Sequence, residues 1–171
     1  MSSEGAPKGT PGLDHRRFCL ACGRYTTGVV IATVLDAQGE PHGITINSFT
    51  SVSLAPPLIL FCLDHRARIL SHFRACRHFG INVLNEHQRD VSQHFASSKR
   101  DRFNGIDWRR GETPVPLLTR GLAFLECTVR NRVASGDHDI IIGEVVAARV
   151  EEGRPLVYFG SKYRKLDVAD S

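Results

Sequence analysis

Residues 43–61 restrict the fold more than any other stretch of this chain. An apolar alternation through Ile44 and Ile46 leads into a nine-residue window holding five hydroxyl side chains and one amide: Thr45, Asn47, Ser48, Thr50, Ser51 and Ser53. Pro56-Pro57 stops that window, and an apolar run from Leu58 to Leu63 begins at once. A parallel crossover needs about a dozen residues or more, usually a helix, so strands joined this closely belong to an antiparallel architecture. A loop held between two apolar strands also presents its hydroxyls and free N–H groups in a fixed array. Such an array suits a planar heterocycle with a polar edge, or a phosphate.

The rest of the chain repeats the strand theme. Asp14 is a suitable N-cap for a short helix that Gly23 ends. Residues 26–35 are β-rich, Asp36-Ala37-Gln38-Gly39 is a hairpin turn, and 42–49 is the returning strand. The 57–63 run reads as a buried strand, and Ile69, Leu70, Phe73 and Cys76 share one helical face. Residues 79–84 are a strand. Asn85 and Gln88 have the spacing of a capping box, opening a helix that buries Val91 and Phe95. Residues 97–119 read as loop, with Pro114 and Pro116 against regular structure; 122–133, 138–150 and 156–159 are further strands. Roughly six or seven strands, two or three helices and short connections predict a mainly β, antiparallel barrel. One domain is expected over 14–167, with disordered tails at 1–13 and 168–171.

Composition removes several classes of function. At 171 residues, 42% hydrophobic and 23% charged, the chain is an ordinary globular protein with material for a core. No apolar run approaches the ~20 residues of a membrane span, and the N-terminus lacks a signal-peptide core, so a cytoplasmic protein with no membrane partner is expected. The net charge of +4 is spread along the chain, which argues against nucleic acid; Lys99-Arg100-Asp101-Arg102 is either a solvated face or a patch for dinucleotide phosphates. Five scattered cysteines do not form a disulfide framework. Cys19 and Cys22 make a C-x-x-C, but Phe18, Ala21, Cys22 and Tyr25 recur at helical spacing, so Cys22 reads as part of a core stripe. None of the eight histidines forms a ligand motif, so no metal is expected. There is no G-x-G-x-x-G and no P-loop, so a nucleotide would have to be held by a sheet surface and its loops.

The order Thr45, Ile46, Asn47-Ser48, Phe49, Thr50-Ser51-Val52-Ser53-Leu54 and Pro56-Pro57-Leu58 resembles the signature loop of the small NAD(P)H:flavin oxidoreductases, the reductase components of two-component flavin-dependent monooxygenases. Three further segments are similar in the same order: Tyr25-Thr26-Thr27-Gly28-Val29-Val30; His94-Phe95-Ala96 with Asp101-Arg102-Phe103; and Gly136-Asp137-His138 before Ile140-Ile141-Ile142-Gly143. The resemblance spans nearly the whole chain. It implies a homodimeric Greek-key split barrel with flavin (FMN or FAD) near the subunit interface and NADH or NADPH as hydride donor. Reduced flavin would pass to a partner monooxygenase. By that similarity Thr45, Ile46, Asn47, Ser48, Ser51, Val52 and Ser53 contact flavin, together with Thr27, Gly28, Val29 and the turn containing Cys62, Leu63, Arg66, Ala67 and Arg68. Family members often carry a hydroxyl where this chain has Ala67, so Arg66 or Arg68 would take the phosphate. His138 is the catalytic-side candidate, positioning nicotinamide against flavin; Phe95, Asp101, Arg102, Phe103 and Tyr163 are further candidates for the pocket. The alternative is a non-enzymatic flavin- or haem-binding protein on the same barrel.

Overall fold

The computed structural model describes residues 14–98 and 101–166. The two expected tails, 1–13 and 168–171, lie outside these, as do Lys99, Arg100 and Asp167. In chain order the elements are α1 (His15–Cys22), β1 (Thr27–Gly28), β2 (Val30–Leu35), β3 (Pro41–Ile46), β4 (Thr50–Leu54), β5 (Pro57–Asp64), α2 (Leu70–Ala75), β6 (His78–Val83) and α3 (Arg89–Ala96). There follow β7 (Trp108–Arg110), β8 (Pro116–Leu118), β9 (Ala123–Ser135), β10 (His138–Val150), β11 (Val157–Phe159) and β12 (Lys162–Arg164). Seven strands form one sheet in the order β3-β2-β6-β9-β10-β5-β4. Every neighbouring pair in it is antiparallel, as the short connections predict. β1, β11 and β12 make a second small sheet, and β7 pairs with β8.

One apolar cluster is centred on Phe61, Phe73 and Phe79, each fully buried, with ring centroids 5.3–6.2 Å apart and edge-on or tilted. Each such ring stabilises the fold by about 1.5–3 kcal/mol relative to exposure. A second cluster lies beneath α3 and joins Phe95, Phe103, Phe124 and Leu117, with Trp108 against its edge. Asn82 crosses between layers. Its amide donates to Ile31 O and Thr33 Oγ1, and its Oδ1 accepts from Leu118 N at 2.7 Å, so a fully buried side chain has partners on both ends.

Four expectations are corrected. α1 begins after Asp14, whose carboxylate accepts from Arg16 N as a cap should, but it buries no residue: Phe18 and Tyr25 are 52% and 78% exposed. Its apolar stripe faces outward instead of into a core. The 57–63 run is not buried throughout; β5 alternates between buried and half-buried positions because only one of its faces meets the core. The hydroxyl-rich stretch is not all loop either. Its second half is β4, the edge strand beside β5, with a register shift at Ser51/Ser53. Finally, 97–119 contains the β7–β8 ribbon. Pro116 is tolerated because it stands first in its strand, where its carbonyl accepts from Thr33 Oγ1.

Gly143 shows how tightly β10 is laid on the core: a Cβ there would fall within 2.6 Å of Phe79 Cε1 and 3.1 Å of Cys127 Cβ. Phe79 is wedged between Phe61 and Phe73 and cannot retreat. Gly143→Ala should therefore lower the unfolding free energy by about 1–3 kcal/mol in urea titration.

Candidate functional site

Where α1 ends, Gly160 N donates to Gly23 O (2.9 Å) and ties the end of β11 to the end of the helix. This leaves a groove of about 510 Å³ between α1, the 47–50 segment and the β11–β12 turn. Phe18, Tyr25, Phe49, Tyr158 and Phe159 supply aromatic walls, and Thr27, Asn47, Ser48 and Thr50 supply polar atoms. A smaller cavity of about 190 Å³ shares Asn47 and Tyr158 with it and adds Val29, Thr45, Ile46 and Tyr163. A flat apolar slot with polar groups at one edge can hold a planar heterocycle. One atom bears directly on this fit. Thr27, which lines this groove, has an Oγ1 that is buried and without a hydrogen-bond partner among the described residues, a hydroxyl still available to a bound group.

The other polar side chains of the segment are differently committed. Asn47 is exposed. Thr45 Oγ1 donates to Ser92 O at 2.6 Å, and Tyr163 OH meets Ser92 Oγ at 2.8 Å, so both secure α3 to the sheet. Ser48 Oγ accepts from Cys62 N (3.0 Å) and donates to Cys62 O (3.3 Å), stapling the segment to β5 where strand pairing has stopped. Ser51 and Val52 are exposed on β4, and Ser53 is half-buried there. Gly28, in β1, leaves open space where a side chain would stand.

The turn after β5 meets the start of β10. His138 pairs with Asp64 in register, and His65 N donates to Asp137 O at 2.9 Å. His138 is half-exposed, with Nδ1 2.6 Å from Asp137 Oδ1. Beneath it the buried Asp139 accepts from Arg74 Nε (2.7 Å) and Nη2 (3.1 Å) and from His65 Nε2 (2.8 Å). The Arg74 hydrogen bond, and after it that of His65, holds the Asp139 carboxyl at about 2, against an ordinary 3.8.

Of the candidates in this turn, Leu63 is core and Ala67 packs against the same cluster. Cys62 is partly buried, which raises its thiol. Arg66 is bidentate on Asp64 and holds that carboxyl far below its usual range. Arg68 has no ion-pair partner among the described residues, and its Nη1 donates to Ser98 O at 3.5 Å. Phe95 and Phe103 are buried, their rings 5.1 Å apart under Gly43, and offer packing in place of a ligand surface. Asp101 Oδ1 caps the N–H groups of Phe103 and Asn104. Arg102 reaches β3, donating from Nη1 to Gly43 O at 3.0 Å.

The fold thus gathers Thr27, Asn47 and Ser48 at one groove, with Val29, Thr45, Ile46 and Tyr163 next to it. Arg68 and Arg102 meet elsewhere, and His138 stands at the neighbouring strand end, outside both. Sequence reasoning missed Tyr158, shared by both cavities, and the pair His42 and His72. The aromatic-Gly step at Phe159-Gly160 could have marked the former; nothing local connects the two histidines.

The model of the flavin reductase like domain matches residues 22–167 of this chain. A probable flavin reductase of Rhizobium meliloti is 46% identical over 135 residues, 79% of this chain but only 43% of that protein, so the chain spans less than half its length. The reductase subunit of a flavin-dependent monooxygenase from Mycobacterium tuberculosis is 37% identical over 158 residues, covering 91% of this chain and 84% of that one. Among solved structures, an NADH:FAD oxidoreductase of Streptomyces globisporus in complex with NAD and FAD fragments aligns with a TM-score of 0.85 at 35% identity. That match covers 90% of this chain and 93% of the other.

The Asp139 cluster gives a pH prediction. Its folded pKa lies below the unfolded one, so its contribution to stability is complete above about pH 4 and fades as pH falls through about 2. Asp139→Asn should unfold at lower denaturant than wild type at pH 7, and the gap should narrow steadily between pH 4 and 2, read by circular dichroism.

Proposed function

Because the chain belongs to the flavin reductase-like domain family, we propose that it reduces flavin, FMN or FAD, at the expense of NADH or NADPH and delivers the product to a flavin-dependent monooxygenase. The relatives named as a flavin reductase and as a monooxygenase reductase subunit support that reading. So does the relative solved with NAD and FAD fragments. Within this chain the unpartnered Thr27 hydroxyl, buried at an aromatic-walled groove beside the exposed Asn47, carries it.

In this reading residues 14–167 form the catalytic unit and the seven-stranded sheet curls into a split barrel. Thr27 and Asn47 donate to the polar edge of the ring system, and Phe49, Tyr158 and the stem of Val29 wall its faces. Ser48, bound to Cys62, keeps the 47–50 segment against β5 so that these donors need no rearrangement to bind. Bound flavin supplies N5 as the acceptor of the hydride from nicotinamide C4, a transfer that depends on stacking and distance more than on acid–base help. His138, fixed through Asp137 and the turn that Asp139 clamps, positions the nicotinamide. The chain pairs with a second copy, which covers the exposed Phe18, Leu20, Tyr25, Val52 and Leu54 near the groove. Among the described residues no helix is long and apolar enough to cross a membrane.

The decisive measurement is NADH and NADPH oxidation with FMN, FAD or riboflavin supplied. Turnover well above background is expected with at least one pair; background rates throughout, in protein that binds flavin, would leave the non-enzymatic alternative. Asn47→Ala should weaken flavin binding by about fivefold, the loss of one hydrogen bond. Thr27→Val should also weaken it while leaving folding stability equal or higher, since no protein hydrogen bond is lost. Fluorescence quenching and urea titration read the two effects separately. His138→Ala should slow flavin reduction on the order of 10²-fold at saturating flavin with little change in flavin affinity, measured by stopped flow.

A further inference from the structure

The C-x-x-C of α1 has no part in flavin reduction as described above. Its helical spacing suits a core stripe, yet α1 buries no residue and both Cys19 and Cys22 are exposed. Both also line the aromatic groove, between Phe18 and Tyr25 in the chain. We propose that Cys19 and Cys22 are a redox-active dithiol, oxidised by hydrogen peroxide to a disulfide that reshapes this groove. The site goes beyond the flavin reading and rests on it only for the ligand whose binding the disulfide alters.

Residues three apart share one side of a helix. Their Cα atoms stand about 5 Å apart, inside the range of roughly 4.4–6.8 Å that a disulfide spans. Their Cβ atoms, at about 5–6 Å, are roughly 1–2 Å too far apart, so closing the bond must draw one residue toward the other. Cys22 is the one placed to move, because it is the last residue of α1 and the chain leaves the helix at Gly23. Gly23 N donates to Cys19 O, and Gly23 O accepts from Gly160 N, both at 2.9 Å. A shift at Cys22 therefore reaches the β11–β12 turn and the aromatic walls on either side of the groove. An exposed disulfide closed against the helix in this way is also readily reduced, which makes the change reversible.

The two thiols have different roles. Cys19 Sγ lies 3.8 Å from His15 Nδ1, one helical turn away, so His15 is placed to take the proton that Cys19 loses. The Cys19 thiolate then attacks one oxygen of the peroxide. The O–O bond breaks, the other oxygen leaves as hydroxide and gains a proton to become water, and Cys19 becomes a sulfenic acid. The Cys22 thiol attacks that sulfur; the S–O bond breaks, the S–S bond forms and a second water leaves. Two thiols thus lose two electrons in all, and one peroxide is reduced to two waters. Reduced flavin that meets dioxygen in solution yields peroxide, so the oxidant arises beside the groove. The other three cysteines are poor competitors: burial raises the thiols of Cys62 and Cys76 and pushes that of Cys127 up to about 12. Nor does His15 complete a metal centre with the pair. Among the described residues, Asp36, His42 and His72 are the one group of three whose ligand atoms lie within 4.8 Å of one another.

Hydrogen peroxide treatment of the full chain tests this on wild type, Cys19→Ser and Cys22→Ser, followed by thiol titration, tryptic mapping and fluorescence titration with FMN and FAD. Wild type should lose two of its five thiols, and its peptide 18–24, which holds both cysteines between tryptic sites, should lose two hydrogens. Oxidation should weaken flavin binding by about fivefold, and dithiothreitol should restore both the thiols and the affinity. Cys22→Ser should stop at a sulfenic acid on Cys19, captured by dimedone. Cys19→Ser, which lacks the attacking thiol, should bind flavin equally before and after treatment. Peptide 18–24 that keeps both thiols, or disulfides that join two chains in place of the internal bond, overturn the dithiol. Oxidised wild type that binds flavin as tightly as reduced wild type overturns its effect on the groove. Reduced wild type that binds no flavin overturns the flavin reading instead, and the mapped bond still decides the dithiol.

Discussion

Strand β10 is hydrogen-bonded on both edges from its first residue, to β9 on one side and β5 on the other. A one-residue slip would turn every side chain to the opposite face, so the double pairing fixes at once what points into the core and what points out. His138 lands opposite Asp64 and half-exposed; Asp139 points inward to Arg74 and His65; Ile141 enters the aromatic cluster. The geometry at the Gly-Asp-His corner follows from sheet register. It needs no strain at His138 itself, because Gly136, at φ 62°, takes up the left-handed turn.

The candidate groove depends on that register at one remove. Ser48 reaches β5 at Cys62, and Cys62 is paired with Ile140 of β10. The polar segment, the turn that carries Arg68 and the His138 corner are thus three attachments to one pair of strands. Polar atoms in such a site fall into two groups. Thr45, Ser48 and Tyr163 spend their hydroxyls on protein partners and hold the walls; Thr27, Asn47, Arg68 and Arg102 keep capacity in reserve. Under the proposed function, only the second group can discriminate between ligands.

That division explains what could be read from the sequence. The strands expected within 26–35, 79–84 and 138–150, observed at 30–35, 78–83 and 138–150, were legible because alternation and β-branched runs directly reflect a sheet with a buried face. The hydroxyl-rich window was legible as a break between two strands, yet its composition disguised β4, since an edge strand need not be apolar. The stripe on α1 has the spacing of a core helix, and spacing cannot say whether a partner surface exists to cover it. His42 and His72 are thirty residues apart and meet only because β3 and α2 flank one cavity. Asp139 reads as an interruption of an apolar strand until Arg74 and His65, both distant in sequence, are seen beside it.

β3 and β4 are the two margins of the seven-stranded sheet, where backbone groups lack a neighbouring strand. Free margins invite another extended chain to add on, the first step toward fibrous aggregation. Here each margin is covered or interrupted by other parts of the chain. α3 and the Arg102 guanidinium close over β3, while the kink at Ser51/Ser53 spoils β4 as a template. Under the proposed function the same residues answer to two selective pressures. A substitution that improves or relaxes ligand choice at either margin also alters how well the protein resists sticking to its own kind, so altered specificity and lost solubility should tend to appear together.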